Sequence, residues 1–483
     1  MLKYPSLPAL IVALSGAAVI LAGCQSYQSR PLDLAAHREG WLARTPGDEP
    51  VRVLAERLAE FAQPREFDLS DGLTLAEGEI VALVFNPDLR LARLRAGVAV
   101  ATAEYAGLWD DPQFDLEFLS VTKNASNPLV IAPGLSFTIP ISGRLEAEKA
   151  RADATLAAEF TRIAEQEWQT RVEVRRAWLR WSAARLKAEQ TELLLDSIES
   201  LVASTARLAE AGEIMRTEAA LFAIEQASQQ QALLRHRGEG AEAEQELRSL
   251  LGLSPQASID LVPTLVVSES ADGITDYAAG EQNLTLKRLR DEYEIAEQTL
   301  RREVRKQYPD LNIGPSVEFD QGETLLGFSL SLPIPILNAN KQGIAEAHAQ
   351  REFARAAFET AYERLAGSRA ATQVRLANIR EQREIIETVI APMVDRQLAD
   401  AQNLLQLGEG GTLVLLESMS RVGQTQMALI DVRLSESLAL ADLAVLTGPP
   451  TRQAITTSNQ DHTGGVQLPH LSDEGDAAHE VNP

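Results

Sequence analysis

Three carboxylates of this sequence stand at positions whose spacing suggests a common function. Asp115 and Glu117 alternate with apolar residues in the stretch 113–118, and Glu318 lies in a similar stretch at 309–319. Successive side chains of a β-strand point to opposite faces, so these carboxylates would lie on a polar face. On a wet surface their chemistry is electrostatic, because carboxylates attract cations.

Motifs for enzyme catalysis are absent from the sequence. It contains no Gly-rich phosphate loop, no His-Glu-x-x-His and no Gly-x-Ser-x-Gly. The histidines are scattered: His37, His236, His348, His462, His470 and His479. The last three lie in a polar tail, where a weak metal interaction is the alternative to plain solvation. We predict that the protein is not an enzyme and has neither a cofactor nor a metal site.

The single cysteine points to a different chemistry. The chain begins with a positively charged residue, Lys3, and continues with an apolar run at 7–21. The sequence Leu-Ala-Gly-Cys follows and ends at Cys24. This arrangement resembles the lipobox of bacterial lipoproteins, which implies a signal peptide at 1–23, an acylated Cys24 and a lipidated lead-in at 24–70. A plain signal peptide followed by a chance cysteine is the alternative. Because Cys24 is the only cysteine, no disulfide can form within the chain.

The alternating stretches belong to two predicted hairpins. The first covers 113–118 and 134–142, and the pattern returns nearly two hundred residues later at 309–319 and 327–335. Strands of a transmembrane β-barrel alternate in this way over about 10 residues per crossing. An ordinary half-buried hairpin is the alternative for one stretch taken alone. The apolar face of the first hairpin would collect Phe114, Leu116, Phe118, Leu135, Phe137, Ile139 and Ile141.

An internal duplication decides the architecture. Residues recur in the same order in two copies: Asn86 with Asn283, Leu89 with Leu286, Pro112 with Pro309, Gly212 with Gly408, and Leu251-Gly252 with Thr447-Gly448. Each copy holds a helix, a hairpin, a very long helix, a glycine turn and a returning helix. We predict a first repeat at 71–282, a second at 283–450 and a disordered acidic tail at 451–483.

Long helices connect these hairpins to the glycine turns. The run 144–211 has neither proline nor glycine and would be about 100 Å long as a helix. Summed lengths suggest that the helix returning from Gly212 continues end to end into a helix at 283–307. In the second copy 343–407 would descend and 412–446 would return. The N-terminal helix ending at Trp109 would stack end to end on the returning helix of the second copy.

Composition and charge limit the possible functions. The chain has 483 residues, 45% of them apolar, and only 5% are aromatic and 24% charged, with many Ala, Leu, Glu, Gln and Arg, a composition typical of long helices. The net charge of −24 argues against nucleic-acid binding, which needs a basic face. After residue 30 no run reaches the roughly 18 apolar residues of a membrane-spanning helix.

The duplicated pattern resembles the TolC family of outer-membrane channels, in particular its lipoprotein branch in tripartite efflux systems. The resemblance covers 70–450 and rests on the run 73–77 leading to Asn86-Pro87-Asp88-Leu89, on both strand pairs, and on the glycines of the turns and repeat ends. It implies a mainly α fold with a membrane β-barrel. A homotrimer would close twelve strands above a long α-helical periplasmic tube, since four strands cannot close alone.

The resemblance also assigns roles to residues. The protein would be a passive conduit that works with a periplasmic adaptor (membrane fusion) protein and an inner-membrane pump. The adaptor would dock at the periplasmic tips formed by Gly212, Glu213, Ile214, Gly408, Glu409, Gly410 and Gly411. Glu417 is a candidate for the entrance constriction, or else an ordinary solvated carboxylate. Val414 stands where family members often carry a first acidic residue, so a gate of paired acidic rings is in doubt. Asp115, Glu117 and Glu318 would face the barrel lumen, where they would either favour cations or simply make the interior polar without strict selectivity.

The predicted location is the outer membrane of a Gram-negative bacterium, with Cys24 in the lipid and the helices in the periplasm. The cargo is left open between drugs, metals and proteins, so a channel for type I protein secretion is one alternative. A non-channel periplasmic adaptor or structural coiled-coil lipoprotein is the alternative from another class. That alternative does not explain the duplication.

Overall fold

The computed structural model describes residues 27–61, 67–120, 129–266, 282–320, 323–407 and 411–449. Contacts divide the chain into two units, Met1–Arg44 and Thr45–Pro483. The first unit contains α1 (Leu34–Leu42), which begins after Asp33. Several predictions lie outside the described residues: the signal peptide, Cys24, the tip residues Gly408, Glu409 and Gly410, and the tail.

Three helices precede the first strand in the second unit: α2 (Glu49–Phe61), α3 (Leu75–Phe85) and α4 (Pro87–Glu104). Thr74 and Glu77 form a capping box at the start of α3, because each side chain bonds to the other residue's backbone N–H group. Asn86 ends α3 and caps α4, whose first residue is a proline. The predicted helix up to Trp109 is therefore two helices, and α4 ends five residues earlier.

The strands form one antiparallel sheet in chain order: β1 (Gln113–Ser120), β2 (Leu129–Ile139), β3 (Leu311–Asp320) and β4 (Glu323–Ser331). Both predicted hairpins are therefore present. The pairing of β2 with β3 joins the two repeats, while β1 and β4 are the two edges. Each edge strand carries a row of backbone groups available for pairing.

The longest helix, α5 (Arg144–Ala211), covers the 68 residues predicted for it. Gly212 ends it in the left-handed conformation, with φ at 76°. Helix α5 packs along α4, α6, α7 and α10 and so ties the two repeats together. The remaining helices are α6 (Arg216–Leu250), α7 (Leu284–Arg305), α8 (Lys341–Ile385), α9 (Ala391–Gln406) and α10 (Thr412–Thr447).

A π-helical segment, Ile386–Ile390, separates α8 from α9, whereas the sequence predicted one uninterrupted helix. Pro392 explains the difference. It has no backbone N–H for the carbonyl of Thr388, and its ring would clash with that carbonyl in a regular helix. The turn widens instead, and the Ala391 N–H donates to the carbonyl of Ile386, five residues earlier.

The end-to-end order of the returning helices differs from the prediction. Helix α6 ends against the start of α4, where the Asn86 amide donates to the carbonyl of Leu250 at 2.9 Å. Helix α10 ends against the start of α7, where the Asn283 amide donates to the carbonyl of Leu446 at 3.1 Å. The predicted partners, α6 with α7 and α10 with the N-terminal helix, were wrong, because α4 and α7 are of similar length and summed lengths cannot distinguish them.

Glycines make these two junctions possible. Gly252 and Gly448 both have positive φ, 70° and 84°. A Cβ on Gly252 would collide with the carbonyl of Phe85, and one on Gly448 with the carbonyl of Gln282. Only glycine combines that backbone conformation with so close an approach. The same asparagine–glycine junction therefore occurs once in each repeat, which confirms the duplication at the level of single contacts.

The largest hydrophobic core lies between α3, α5 and the end of α6. Trp178 of α5 is fully buried there, and its indole N–H donates to the carbonyl of Val262 at 3.0 Å. A second cluster joins α5, α9 and α10 around Ile198, Leu415 and Met419. None of the helices in the described part of the chain combines the length and apolar character that crossing a membrane requires.

Candidate functional site

Two of the predicted carboxylates lie in one row across the sheet. Glu117 of β1 is opposite Ala132 of β2. The register that pairs Ile131 with Phe319 places Ala132 opposite Glu318 of β3. Opposed residues of antiparallel strands point to the same face. Glu117 and Glu318 therefore share a face, two strand spacings or about 10 Å apart.

Asp115 lies on this polar face in the neighbouring row. Its partner in β2 is Gly134, and the Ser136 hydroxyl donates to its carboxylate at 3.0 Å. The row continues through Ser316 of β3 to Gly327 of β4. Glycine and serine leave the space above the row open to water. The structure thus brings Asp115, Glu117 and Glu318 together on one face, as the alternation predicted.

The opposite face of the sheet is apolar and exposed. Phe114 is opposite Leu135, so the predicted apolar set shares one face, except for Ile141, which lies in the turn after β2. Phe114 is 68% exposed, Leu326 85% and Phe328 69%. Exposed apolar area of this extent marks a surface that meets lipid or another protein, because leaving it in water is costly.

The two helical tips lie next to each other. The predicted tip residues Glu213 and Ile214 follow Gly212 in the turn between α5 and α6, and Gly411 is the N-cap of α10. The Thr412 hydroxyl donates to the Glu218 carboxylate in the first turn of α6. The sequence did not reveal this contact, although both residues stand close to the predicted turns.

Glu417 lies on the exposed side of α10. Its carboxylate forms an ion pair with Arg421, one turn further along, at 2.8 Å. Leu415 and Met419 are buried against α5 and α9 instead. The carboxylate is partly neutralised by its own helix, so its charge at an entrance would depend on whether Arg421 stays bound.

A cluster of ion pairs surrounds the π-helical segment. Glu436 of α10 accepts from Arg383 at 2.6 Å and from Arg380 at 3.2 Å. Glu387, inside the π segment, binds Arg383 at 2.9 Å and Arg433 at 2.8 Å. Hydrogen bonds from Arg433 hold the pKa of Glu387 below its ordinary value. These ion pairs connect α10 to the π-helical segment and to the end of α8. The sequence analysis did not predict them.

A second cluster lies where α7 meets the start of α8. Burial raises the pKa of Glu303, but hydrogen bonds from Asn340, Lys306 and Arg302 outweigh it and lower the pKa to about 2. Asn340 caps α8 with positive φ, as Gly143 caps α5. Its amide holds the carboxylate at 2.9 Å. The ionised Glu303 carboxylate therefore holds the turn that leads from β4 into α8, through its hydrogen bond with Asn340.

In the described part of the chain, a sheet with one apolar and one polar face is joined to long paired helices, an arrangement compatible with a membrane channel. The model of the outer membrane efflux protein family matches residues 81–253. The resemblance to TolC-family outer-membrane efflux channels is thereby confirmed. Membership of the lipoprotein branch stays a prediction.

Solved structures share the fold. The outer membrane protein VceC of Vibrio cholerae is 18% identical, with 77% of this chain and 96% of that chain covered and a TM-score of 0.65. The CmeC outer membrane channel of Campylobacter jejuni is 14% identical, with 91% and 98% covered and a TM-score of 0.67. The MtrE outer membrane channel of Neisseria gonorrhoeae, solved in an open state, is 15% identical, with 77% and 89% covered and a TM-score of 0.64. No significant match was found among curated protein sequences.

Proposed function

We propose that this protein is the passive outer-membrane conduit of a tripartite efflux system, assembled as a homotrimer. The observation that carries the proposal is the sheet with two exposed faces of opposite character. The apolar face suits lipid, and the face with Asp115, Glu117 and Glu318 suits a water-filled path. Three copies would supply twelve strands and pair every free edge, as a membrane requires.

The long helices would carry the path into the periplasm. Helix α5 alone is about 100 Å long. Its tip at Gly212, Glu213 and Ile214 lies beside the start of α10, so we propose that an adaptor docks here. Gly408, Glu409 and Gly410 would complete that surface. An inner-membrane pump would supply the energy for transport, since the proposed conduit is passive.

Two further assignments complete the proposal. Glu417 would line the entrance and act through its charge, with Arg421 as the group that sets how much of that charge is available. Acylation of Cys24 would hold each chain on the outer membrane in addition to its strands, since acyl chains add membrane affinity for every buried methylene.

Ion conductance across planar bilayers tests the conduit. Detergent-extracted protein that runs as a trimer should produce stepwise currents, and Glu417→Gln should change the step size or the open fraction. Exposed Glu363→Gln on α8 is the matched control and should change neither. A protein that remains monomeric and needs no detergent once its acyl chains are removed would rule the conduit out.

A further inference from the structure

The irregular segment 253–266, called the strap below, crosses one side of α5 and α10. The indole N–H of Trp178 on α5 donates to one of its carbonyls at 3.0 Å, and the Ser182 hydroxyl accepts from one of its N–H groups, also at 3.0 Å. On α10, the Ser437 hydroxyl donates to another carbonyl of the strap at 2.5 Å. The strap therefore covers the sides of the two helices that carry these three residues.

An open groove of about 690 Å³ lies on the opposite side of the same helices. It runs between α5 and α8, along α10, which packs against both. Arg180 lines the groove and stands two residues from both Trp178 and Ser182, and Ser435 lines it two residues from Ser437. Two positions along an α-helix are about 160° apart around its axis. The strap and the groove therefore lie on opposite sides of α5 and α10.

The strap belongs to a second layer of structure, which indicates the side of the helices that faces the path. Leu261 of the strap packs with Val51 of α2 and Val81 of α3 in the largest hydrophobic core. Three copies of that layer inside a tube of helices would obstruct a water-filled path. The layer therefore belongs on the outside of the proposed tube, and the groove faces the path.

Arginines from both repeats converge on this groove. Arg176 of α5 and Arg375 of α8 bind the same carboxylate, that of Asp442 on α10, at 2.6 and 2.5 Å. Each of these pairs joins the carboxylate to one nitrogen of a guanidinium group, which has five N–H donors. Asp442 thus holds both arginines at the groove while donors on each of them stay available for another anion.

Arg180 is more loosely held. Its ion pair with Glu246 on α6 is 3.9 Å long, and more than half of each side chain is exposed, so the pair is weak. Asp431, the other aspartate that lines the groove, is already paired with Lys187 at 2.5 Å. Among the described residues, positive charge therefore exceeds negative charge at the groove, although the chain as a whole carries −24.

Apolar side chains form the rest of the lining. They include Ile379 of α8, and Val432 and Leu438 of α10. A concave surface that combines apolar side chains with a few guanidinium groups suits a molecule with an apolar body and an anionic group.

We propose that the groove is a binding site along the path for amphiphilic organic anions, namely carboxylates or sulfonates that carry an apolar body. Arg176, Arg180 and Arg375 would bind the anionic group, and the apolar body would lie against Ile379 and Val432. The inference rests on the conduit proposed above and names a class of cargo for it. Small ions would still respond mainly to the carboxylates of the sheet, because they have no apolar body for the groove to bind.

Binding of naphthalene-1-sulfonate tests the chemistry of the groove. In equilibrium dialysis with detergent on both sides, the trimer should bind this anion at least about fivefold more tightly than 1-naphthylmethylammonium, which has the same apolar body. Arg180→Gln should weaken sulfonate binding at least about fivefold, because it removes a charge-assisted hydrogen bond.

Arg235→Gln is the matched control for this measurement. Arg235 lies on α6, outside the groove, and its pair with Glu239 is also 3.9 Å long, so the substitution removes an equally weak ion pair. It should leave sulfonate binding unchanged. Equal affinity for the two probes, or equal losses in Arg180→Gln and Arg235→Gln, would overturn the proposed site.

Thiol modification in planar bilayers tests where the groove lies. Ser435 is exposed in the groove, so a sulfonated methanethiosulfonate reagent on Ser435→Cys should reduce the conductance step by narrowing the path. Val266→Cys, at the exposed end of the strap, should give no change, and the treated parent supplies the baseline for Cys24.

The outcomes separate this inference from the proposed function. A parent protein that conducts, with an unchanged step in treated Ser435→Cys, would overturn the place of the groove along the path and leave the conduit standing. A parent that runs as a monomer and never conducts would overturn the conduit itself.

Discussion

Two asparagines show how much a single side chain contributes to this fold. In Asn283 the amide oxygen accepts from the backbone N–H of Leu286 and the amide nitrogen donates to the carbonyls of Val445 and Leu446. One side chain thus caps the start of α7 and satisfies the end of α10. Asn86 does the same for α4 and α6. Only asparagine and glutamine carry an amide donor and acceptor together, and asparagine is the shorter side chain that also caps helices.

Asn283→Asp should separate these two tasks. Aspartate keeps the cap but places an oxygen against two carbonyls, so we expect a loss of about 1–3 kcal/mol in the free energy of unfolding. Asn86→Asp should cost a similar amount, because the junction is the same. Thermal unfolding in detergent provides the measurement, with exposed Asn403→Asp as the control. Unchanged midpoints in both junction variants would contradict this account.

Glu303 should make stability depend on pH. Its folded-state pKa of about 2 lies below the ordinary 4.5, so its ionised form stabilises the folded state. That contribution is present above about pH 5 and is lost as the pH falls towards 2. Glu303→Gln should therefore lower the unfolding midpoint at pH 7 and have little effect near pH 2. Exposed Glu363→Gln should show no such dependence, and a constant difference at all pH values would refute the assignment.

At the scale of elements, the sequence predicted the type and length of each helix and strand better than it predicted which elements lie next to each other. Helix α5 and both hairpins follow from uninterrupted helical composition and from alternation. The stacking order did not follow, because it depends on which carbonyls Asn86 and Asn283 reach, and no local pattern encodes that. The π segment could have been predicted, since Pro392 stands inside the second long run. The contact between Thr412 and Glu218 joins residues far apart in sequence and required the structure.

Pro392→Ala should convert the π segment into regular helix. Alanine restores the missing N–H and removes the ring, a change that favours helix by up to about 3 kcal/mol. Amide exchange at 386–390 should then slow about tenfold or more. Exchange in the first turns of α8 serves as the internal control. Unchanged exchange in the segment would mean that the ion pairs of Glu387, rather than the proline, maintain it.

At the scale of the whole molecule, we expect the polar face of the sheet to influence which ions pass most easily through the proposed path. Three copies would place Glu117 and Glu318 in one ring of carboxylates, and such a ring favours cations over anions. Glu117→Gln with Glu318→Gln should shift the reversal potential in a salt gradient towards zero while leaving the trimer intact. Glu104→Gln, at the end of α4 and outside the sheet, is the matched control and should leave the potential unchanged. A trimer that conducts with the parent's reversal potential after both substitutions would show that the face is polar but does not select ions. Ion preference would then be set elsewhere, and Glu417 would be the next residue to replace.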